Sequence, residues 1–203
     1  MSKLYNTNKE IPSEYKSGDG IFFTSDTHFG HDNIIRFCNR PFKDLNEMNY
    51  KLIENWNSVV GPDDVVFHLG DFAWGGAPLW RSIRSQLNGH IVLVIGNHDV
   101  KNLKQTAAND LFDAVVPQLQ LTIEGRSVYL NHYPFLAYGG AYRGDSAVWQ
   151  LFGHVHTHDG GNGKDDERMK YLFPTQYDVG VDNNNFTPVS WEEIKRIINR
   201  QTK

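Results

Sequence analysis

Carboxylates, imidazoles and one amide recur along this chain in five short polar clusters: Asp26-Thr27-His28, Gly70-Asp71, Gly96-Asn97-His98-Asp99, Asn131-His132 and Gly153-His154-Val155-His156. Most follow an apolar run of the kind that makes a buried strand, such as Ile21-Phe22-Phe23, Val65-Val66-Phe67 and Ile91-Val92-Leu93-Val94-Ile95. Strands of one sheet would deliver two aspartates, four or five histidines and an asparagine to a single edge. That is the ligand inventory of a two-metal hydrolytic site, in which oxygen and nitrogen donors hold borderline divalent ions.

The pieces differ in how much they say. Asp26 and His28 are two apart, so they share a face of an extended chain, and at a strand end they can converge on one ion. His154 and His156 repeat that spacing. Glycine before Asp71 allows a close backbone approach or an unusual dihedral, and a carboxylate has two oxygens with which to bridge two cations. Asn97 offers a neutral oxygen, and His132 ends a strand. An isolated Asp-x-His is ordinarily a surface or capping pair, and Gly-Asp is ordinarily a turn. Gly-Asn-His-Asp after five apolar residues is far more specific. The five clusters in this order outweigh a reading as unrelated core and loop histidines.

The elements that must position these tips alternate. A short helix is expected near 34–38, stopped before Pro41, and an amphipathic helix over 44–59 from the spacing of Leu45, Met48, Leu52, Ile53, Trp56 and Val59. A strand at 64–68, a helix at 78–87 opened by Pro78, a strand at 91–95 and a helix at 100–108 follow. The remainder reads as strands at 113–123, 126–131, 147–152 and 177–181, with a hairpin at Glu124-Gly125. The stretch 159–168 reads as a flexible loop. Ser190-Trp191-Glu192-Glu193 is a capping box that opens a terminal helix.

Composition sets the outer bounds. The 203 residues, 39% hydrophobic and 13% aromatic, suit a single domain over 1–203 with a polar lead-in at 1–20. The apolar runs are all shorter than the roughly 20 residues of a membrane span, and the polar start lacks the apolar segment of a secretory signal. One cysteine, Cys38, excludes an internal disulfide and fits a reducing compartment, so a cytoplasmic protein is expected. The formal charge of −4 counts against a broad nucleic-acid surface. It says nothing against a small anionic substrate, because two divalent ions would dominate the local field.

The ordered set from Asp26 to His156 resembles the calcineurin-like metallophosphoesterase superfamily, and Thr24-Ser25-Asp26-Thr27-His28-Phe29-Gly30-His31 is similar to a branch of small phosphoesterases from bacteria and their phages. The resemblance implies an α/β fold in which two mixed β-sheets pack as a sandwich flanked by helices. It implies that Asp26, His28 and His156 hold one ion, that Asn97, His132 and His154 hold the other, and that Asp71 bridges them. It makes His98 the general acid or leaving-group stabiliser, oriented by Asp99, while a hydroxide held between the ions attacks phosphorus in line. Mn²⁺ is the first expectation for the ions, with Zn²⁺, Fe and Ni²⁺ also compatible with mixed oxygen and nitrogen donors.

One departure narrows the substrate. Protein-phosphatase relatives carry Gly-Asp-x-x-Asp-Arg-Gly, whereas this chain has Gly70-Asp71-Phe72-Ala73-Trp74-Gly75-Gly76. A phosphate-gripping arginine is missing there, which favours a small, nucleotide-like phosphodiester or phosphomonoester. A metal-dependent nuclease on DNA or RNA is the alternative enzyme, and a non-catalytic protein-binding scaffold of the same fold is the third reading. Candidate substrate contacts are His31, Asn33, Arg36, Arg40 and Trp74, the last as a surface on which a base could stack. Lys43 is a further nearby cation for a phosphate, although a solvated charge is the commoner role for such a residue, and Tyr133 and Tyr138, like Trp74, are equally compatible with stacking on a base and with packing. His68, Asp178 and Asp182 read as structural.

Overall fold

The computed structural model describes residues 6–7, 10–105, 108–144, 147–157 and 170–203. Eleven strands fall in two sheets among these residues. The strands are β1 (Asn6–Thr7), β2 (Glu14–Tyr15), β3 (Ile21–Thr24), β4 (Val65–His68), β5 (His90–Val94), β6 (Ala114–Val116), β7 (Leu119–Ile123), β8 (Arg126–Leu130), β9 (Trp149–Phe152), β10 (Gln176–Asp178) and β11 (Val189–Ser190). The first sheet runs β1-β6-β5-β4-β3-β11 and the second β10-β9-β8-β7-β2.

In the first sheet β3, β4, β5 and β6 are mutually parallel, with antiparallel strands at both edges. Parallel neighbours need crossovers, which are supplied by α1 (Asp32–Phe37) with α2 (Leu45–Val59), by α3 (Ala77–Arg84), and by α4 (Asp99–Gln105). In the second sheet β7 and β8 form the antiparallel hairpin, and the other pairings are parallel. Both sheets are mixed, as the resemblance implies.

The apolar runs of the first sheet are buried on both faces, which is why they read as continuous rather than alternating. Phe67, Val92 and Val94 face the second sheet and meet Leu121, Ile123, Leu130 and Leu151, closed by Trp191, Ile194 and Ile198 of the terminal helix α5 (Trp191–Gln201). The intervening residues Val66, Ile91 and Leu93 face the helices and meet Met48, Leu52, Trp56, Trp80 and Ile83. Helix ends follow the local code: Asp44 accepts from the Glu47 N–H at 2.9 Å, and Ser190 accepts from the Glu193 N–H at 3.3 Å.

Three expectations are revised. The polar lead-in contributes β1 and β2, one short edge strand to each sheet. The segment expected as one strand over 113–123 is two, because Pro117 lacks an N–H and the chain passes there from the first sheet to the second. The strand expected over 177–181 stops at Asp178 and is followed by a 3-10 turn, Val181–Asn183. The glycine- and aspartate-rich stretch 159–168 lies outside the described residues.

This topology brings the C-terminal ends of β3, β4 and β5 side by side with those of β8 and β9: past β8, His132 Nδ1 meets the Leu69 carbonyl at 2.8 Å, and past β9, the His154 N–H donates to Asp26 Oδ2 at 2.8 Å. His68, at the end of β4, ties two of the emerging loops. The Thr27 hydroxyl donates to the Phe72 carbonyl at 2.7 Å, so it accepts from His68 Nε2–H at 2.9 Å, while His68 Nδ1 accepts the Gly70 N–H at 3.2 Å. Accepting at Nδ1 requires a neutral ring, and burial pushes its pKa down to about 3. The folded pKa lies below the unfolded one, so this contribution is complete above about pH 6.5 and is lost as pH falls towards 3. In urea unfolding, the stability difference between the wild type and His68→Gln is expected to shrink by up to ~1.4 kcal/mol per pH unit across that window.

Candidate metal centre

The loops at the sheet edge are held in a conformation that side chains seldom adopt. Asp26, His28, Asp71, His154 and His156 have φ of 57°, 50°, 57°, 72° and 49°, all in the left-handed region. Such backbone persists only where surrounding contacts determine it, and it gathers at functional sites. Here the Asp26 N–H donates to the Gly70 carbonyl at 2.9 Å and the His28 N–H to the Asp71 carbonyl at 3.0 Å, so the two loops zip together past the strands. The glycines make room for this. A Cβ on Gly70 would lie 2.6 Å from the Gly96 backbone, and one on Gly96 would lie 2.2 Å from Asp71 Oδ1.

Asp99 does not stand behind His98. One of its oxygens accepts the N–H groups of Asp71 at 2.7 Å and Gly96 at 2.8 Å, and the other accepts that of Phe72 at 2.9 Å. The expected orientation of His98 by Asp99 is therefore corrected: this buried carboxylate fastens the Asp71 loop to the start of α4. Arg40 is corrected as well. It was expected among substrate contacts, but it is buried, with Nε and Nη2 donating to the two oxygens of Asp182 at 2.8 and 2.7 Å. Its remaining donors reach the carbonyls of Asp26 at 2.7 Å and Thr27 at 3.0 Å. Arg40 clamps the first ligand loop from within.

Two groups of candidate ligands emerge, Asp26 with His28 and His156, and Asp71 with His132 and His154, the donor atoms within each lying within 4.8 Å of one another. Asp71 Oδ2 stands 3.6 Å from His28 Nε2 and 3.6 Å from His132 Nε2, so the carboxylate lies between the two groups. His156 and His132 are aimed by their other nitrogens. His156 Nδ1 meets Asp182 Oδ2 at 2.7 Å, and His132 Nδ1 meets the Leu69 carbonyl at 2.8 Å. This arrangement fixes the tautomer and turns each Nε2 lone pair inward, as orienting partners of metal-binding histidines do. His132 Nε2 lies 2.9 Å from Asn97 Oδ1, and two acceptors at that separation call for a cation or a second ring proton.

The donor set fits divalent ions. Asp26 Oδ1 and His28 Nε2 are buried without a hydrogen-bond partner among the described residues, although a carboxylate oxygen and an imidazole nitrogen ordinarily find one. Burial, with the carboxylates of Asp26 and Asp99 nearby, pushes the Asp71 carboxyl up to about 8. Burial opposes ionisation of Asp26 too, but His156 and His132 hold it below its usual value. Burial keeps His28 well down and brings His154 to about 4, while Asp26 and Asp182 outweigh burial at His156 and hold it well up. The protein by itself has more buried negative charge than it can ionise together, and bound cations would remove that conflict.

Around this edge stands a wall of rings. His98 is half-buried, with its backbone N–H on Asp71 Oδ1 at 2.9 Å and its Nε2 at 3.9 Å from Asp71 Oδ2. Burial and the neighbouring His132 lower its pKa. The indole of Trp74 stacks on His31 with centroids 4.7 Å apart and lies 5.3 Å from His98. Asn33 and Arg36 are exposed on α1, and the Arg36 guanidinium lies over the Phe37 ring. Asp182, read from the sequence as structural, proves to be the partner that aims His156. Its contacts with His156 and Arg40 span 26 and 142 residues, and no local pattern announces them.

Asp182→Asn keeps a hydrogen-bond acceptor but removes the charge that compensates Arg40. Affinity at the Asp26, His28 and His156 site is expected to fall about 10- to 100-fold, measured by competition with a chelating dye. Stability should fall by about 3–5 kcal/mol in denaturant unfolding, because a buried guanidinium is left without its counter-charge.

Comparison with known proteins places this arrangement. Residues 20–174 match the model of the calcineurin-like phosphoesterase superfamily domain. An uncharacterised protein of Methanocaldococcus jannaschii is 34% identical over 182 residues, 89% of this chain and 92% of the relative. The Gene 66 protein of Mycobacterium phage D29 is 28% identical, across 88% of this chain and 96% of its own length. The crystal structure of a protein of unknown function from Aquifex aeolicus superposes with a TM-score of 0.62 at 27% identity, covering 87% of this chain and 98% of its own. With a domain model matched over most of its length and a relative aligned nearly end to end, the chain belongs to the calcineurin-like phosphoesterase superfamily.

Proposed function

We propose that this protein is a dinuclear-metal phosphoesterase that hydrolyses a small, nucleotide-like phosphodiester or phosphomonoester. The observation that carries this reading is the placement of Asp71 Oδ2, 3.6 Å from a histidine of each ligand group, beside buried donor atoms of Asp26 and His28 that have no hydrogen-bond partner among the described residues. Asp26, His28 and His156 would hold one ion, and Asn97, His132 and His154 the other, with Asp71 shared. Bound there, two divalent ions supply the charge neutralisation and water activation that in-line phosphoester hydrolysis needs. Mn²⁺ is the first candidate, and the donor set also suits Zn²⁺, Fe and Ni²⁺.

The protein's own groups do the rest. His98, half-buried and next to the shared carboxylate, presents a ring N–H to the leaving oxygen. An anionic substrate beside it would counter the burial that otherwise disfavours its protonated form. With Arg40 held inside the fold by Asp182, the anion-binding charge falls to the ions, which suits a small phosphoester better than a heavily charged one.

Two outcomes test this. Protein stripped with a chelator should lose hydrolysis of bis(p-nitrophenyl) phosphate and regain it with Mn²⁺; inactivity with every divalent ion would overturn the assignment. His98→Ala should keep two ions per chain by elemental analysis while turnover falls by about two to four orders of magnitude. Unchanged turnover would remove His98 from the chemistry.

A further inference from the structure

Trp74 is a large aromatic left 46% exposed at the rim of the site, where Tyr133 is exposed to 45%, so what distinguishes Trp74 is how it is held. Its position is fixed rather than loose. The Trp74 N–H donates to the Phe29 carbonyl at 2.7 Å, and Phe29 and Ala73 form a parallel bridge. Asn102 Nδ2 donates at 3.2 Å both to the carbonyl of Ala73 and to that of His98, tying the Trp74 loop to the turn that carries the proposed leaving-group residue. His31 backs the indole in a near-parallel stack, 4.7 Å and 16°. A flat surface is thus held ready beside His98 before any ligand arrives, and such pre-organisation lowers the entropic cost of binding.

We propose that Trp74 is the stacking platform for the leaving group, and that the substrate is a phosphoester of a nucleoside whose base lies on the exposed indole. The inference rests on the phosphoesterase reading for its orientation: an alcohol leaving towards His98 leaves towards Trp74, 5.3 Å away. Every base has a π-face, so an indole wall selects for a base without choosing among them. The surroundings of the other exposed ring, Tyr133, are built differently. Tyr133 meets the rings of His132 and His154 close to perpendicular, 70° and 72°, and so packs by edge contact where Trp74 stacks face to face.

Calorimetry on the Mn²⁺-loaded protein separates the ideas, with adenosine 5′-monophosphate and ribose 5-phosphate as probes of equal charge. The nucleotide is expected to bind roughly 5- to 150-fold more tightly, the range a single base stack contributes. Trp74→Leu should erase that ratio, Trp74→Phe should retain most of it, and the affinity of Trp74→Leu for ribose 5-phosphate reports that the metal site is intact. Equal affinities in the wild type, binding of neither probe, or loss of the ratio in Tyr133→Leu but not in Trp74→Leu would each overturn the platform. Hydrolysis of bis(p-nitrophenyl) phosphate by the same preparation is scored separately. Activity with equal probe affinities sinks the platform alone, whereas inactivity with a clear base preference sinks the phosphoesterase reading and the leaving-group role with it, and leaves Trp74 as a base-binding surface only.

Discussion

The burial of three carboxylates at one sheet edge is the constraint around which this molecule is arranged. Asp26, Asp71 and Asp99 are all withdrawn from water within a few residues of parallel strand ends. Burying one unpaired charge costs several kcal/mol, and neighbouring like charges add to that cost. The structure answers separately for each. Asp99 is satisfied by three backbone N–H groups and so becomes a fastener. Asp26 and Asp71 are left facing histidine nitrogens across gaps of 3.6–4.0 Å, too long for hydrogen bonds and suited to an ion between them.

A second layer keeps that arrangement from relaxing. Arg40 threads beneath the first ligand loop, holds the carbonyls of Asp26 and Thr27, and presents Asp182 to His156. Neutral His68 ties the Thr27 hydroxyl to the Gly70 N–H. Five left-handed residues at the ligand positions cost of order 1–3 kcal/mol each when isolated. They are tolerated because their backbone groups are bonded across loops and glycines stand at the points of closest approach. Stability is thus given up locally and recovered in the two apolar layers on either side of the first sheet.

The two revised residues, Asp99 and Arg40, show where reading along the chain misleads. Adjacency made Asp99 look like the partner of His98, but the backbone turns between them and sends the carboxylate under the loop. Arg40 looked like a cation for a phosphate site because it follows the first polar cluster closely along the chain. Its partner lies 142 residues away. His98 consequently lacks Asp99 as a partner and faces the Asp71 carboxylate instead, its Nε2 3.9 Å from Asp71 Oδ2.

By itself the sequence determined the types of the candidate ligands, their order, and their attachment to strand ends, since glycine, an apolar run and a polar tip are patterns that a few consecutive residues carry. It also determined most helices and strands, because amphipathic spacing, caps and prolines act locally. Tertiary structure decided which carboxylate stays inert, which arginine is committed inside the fold, how Asp182 aims His156, and that Trp74 rests on His31 beside His98. Those outcomes follow from loops brought together by parallel strand pairing. Such pairing joins residues tens of positions apart, so their contacts leave no local trace.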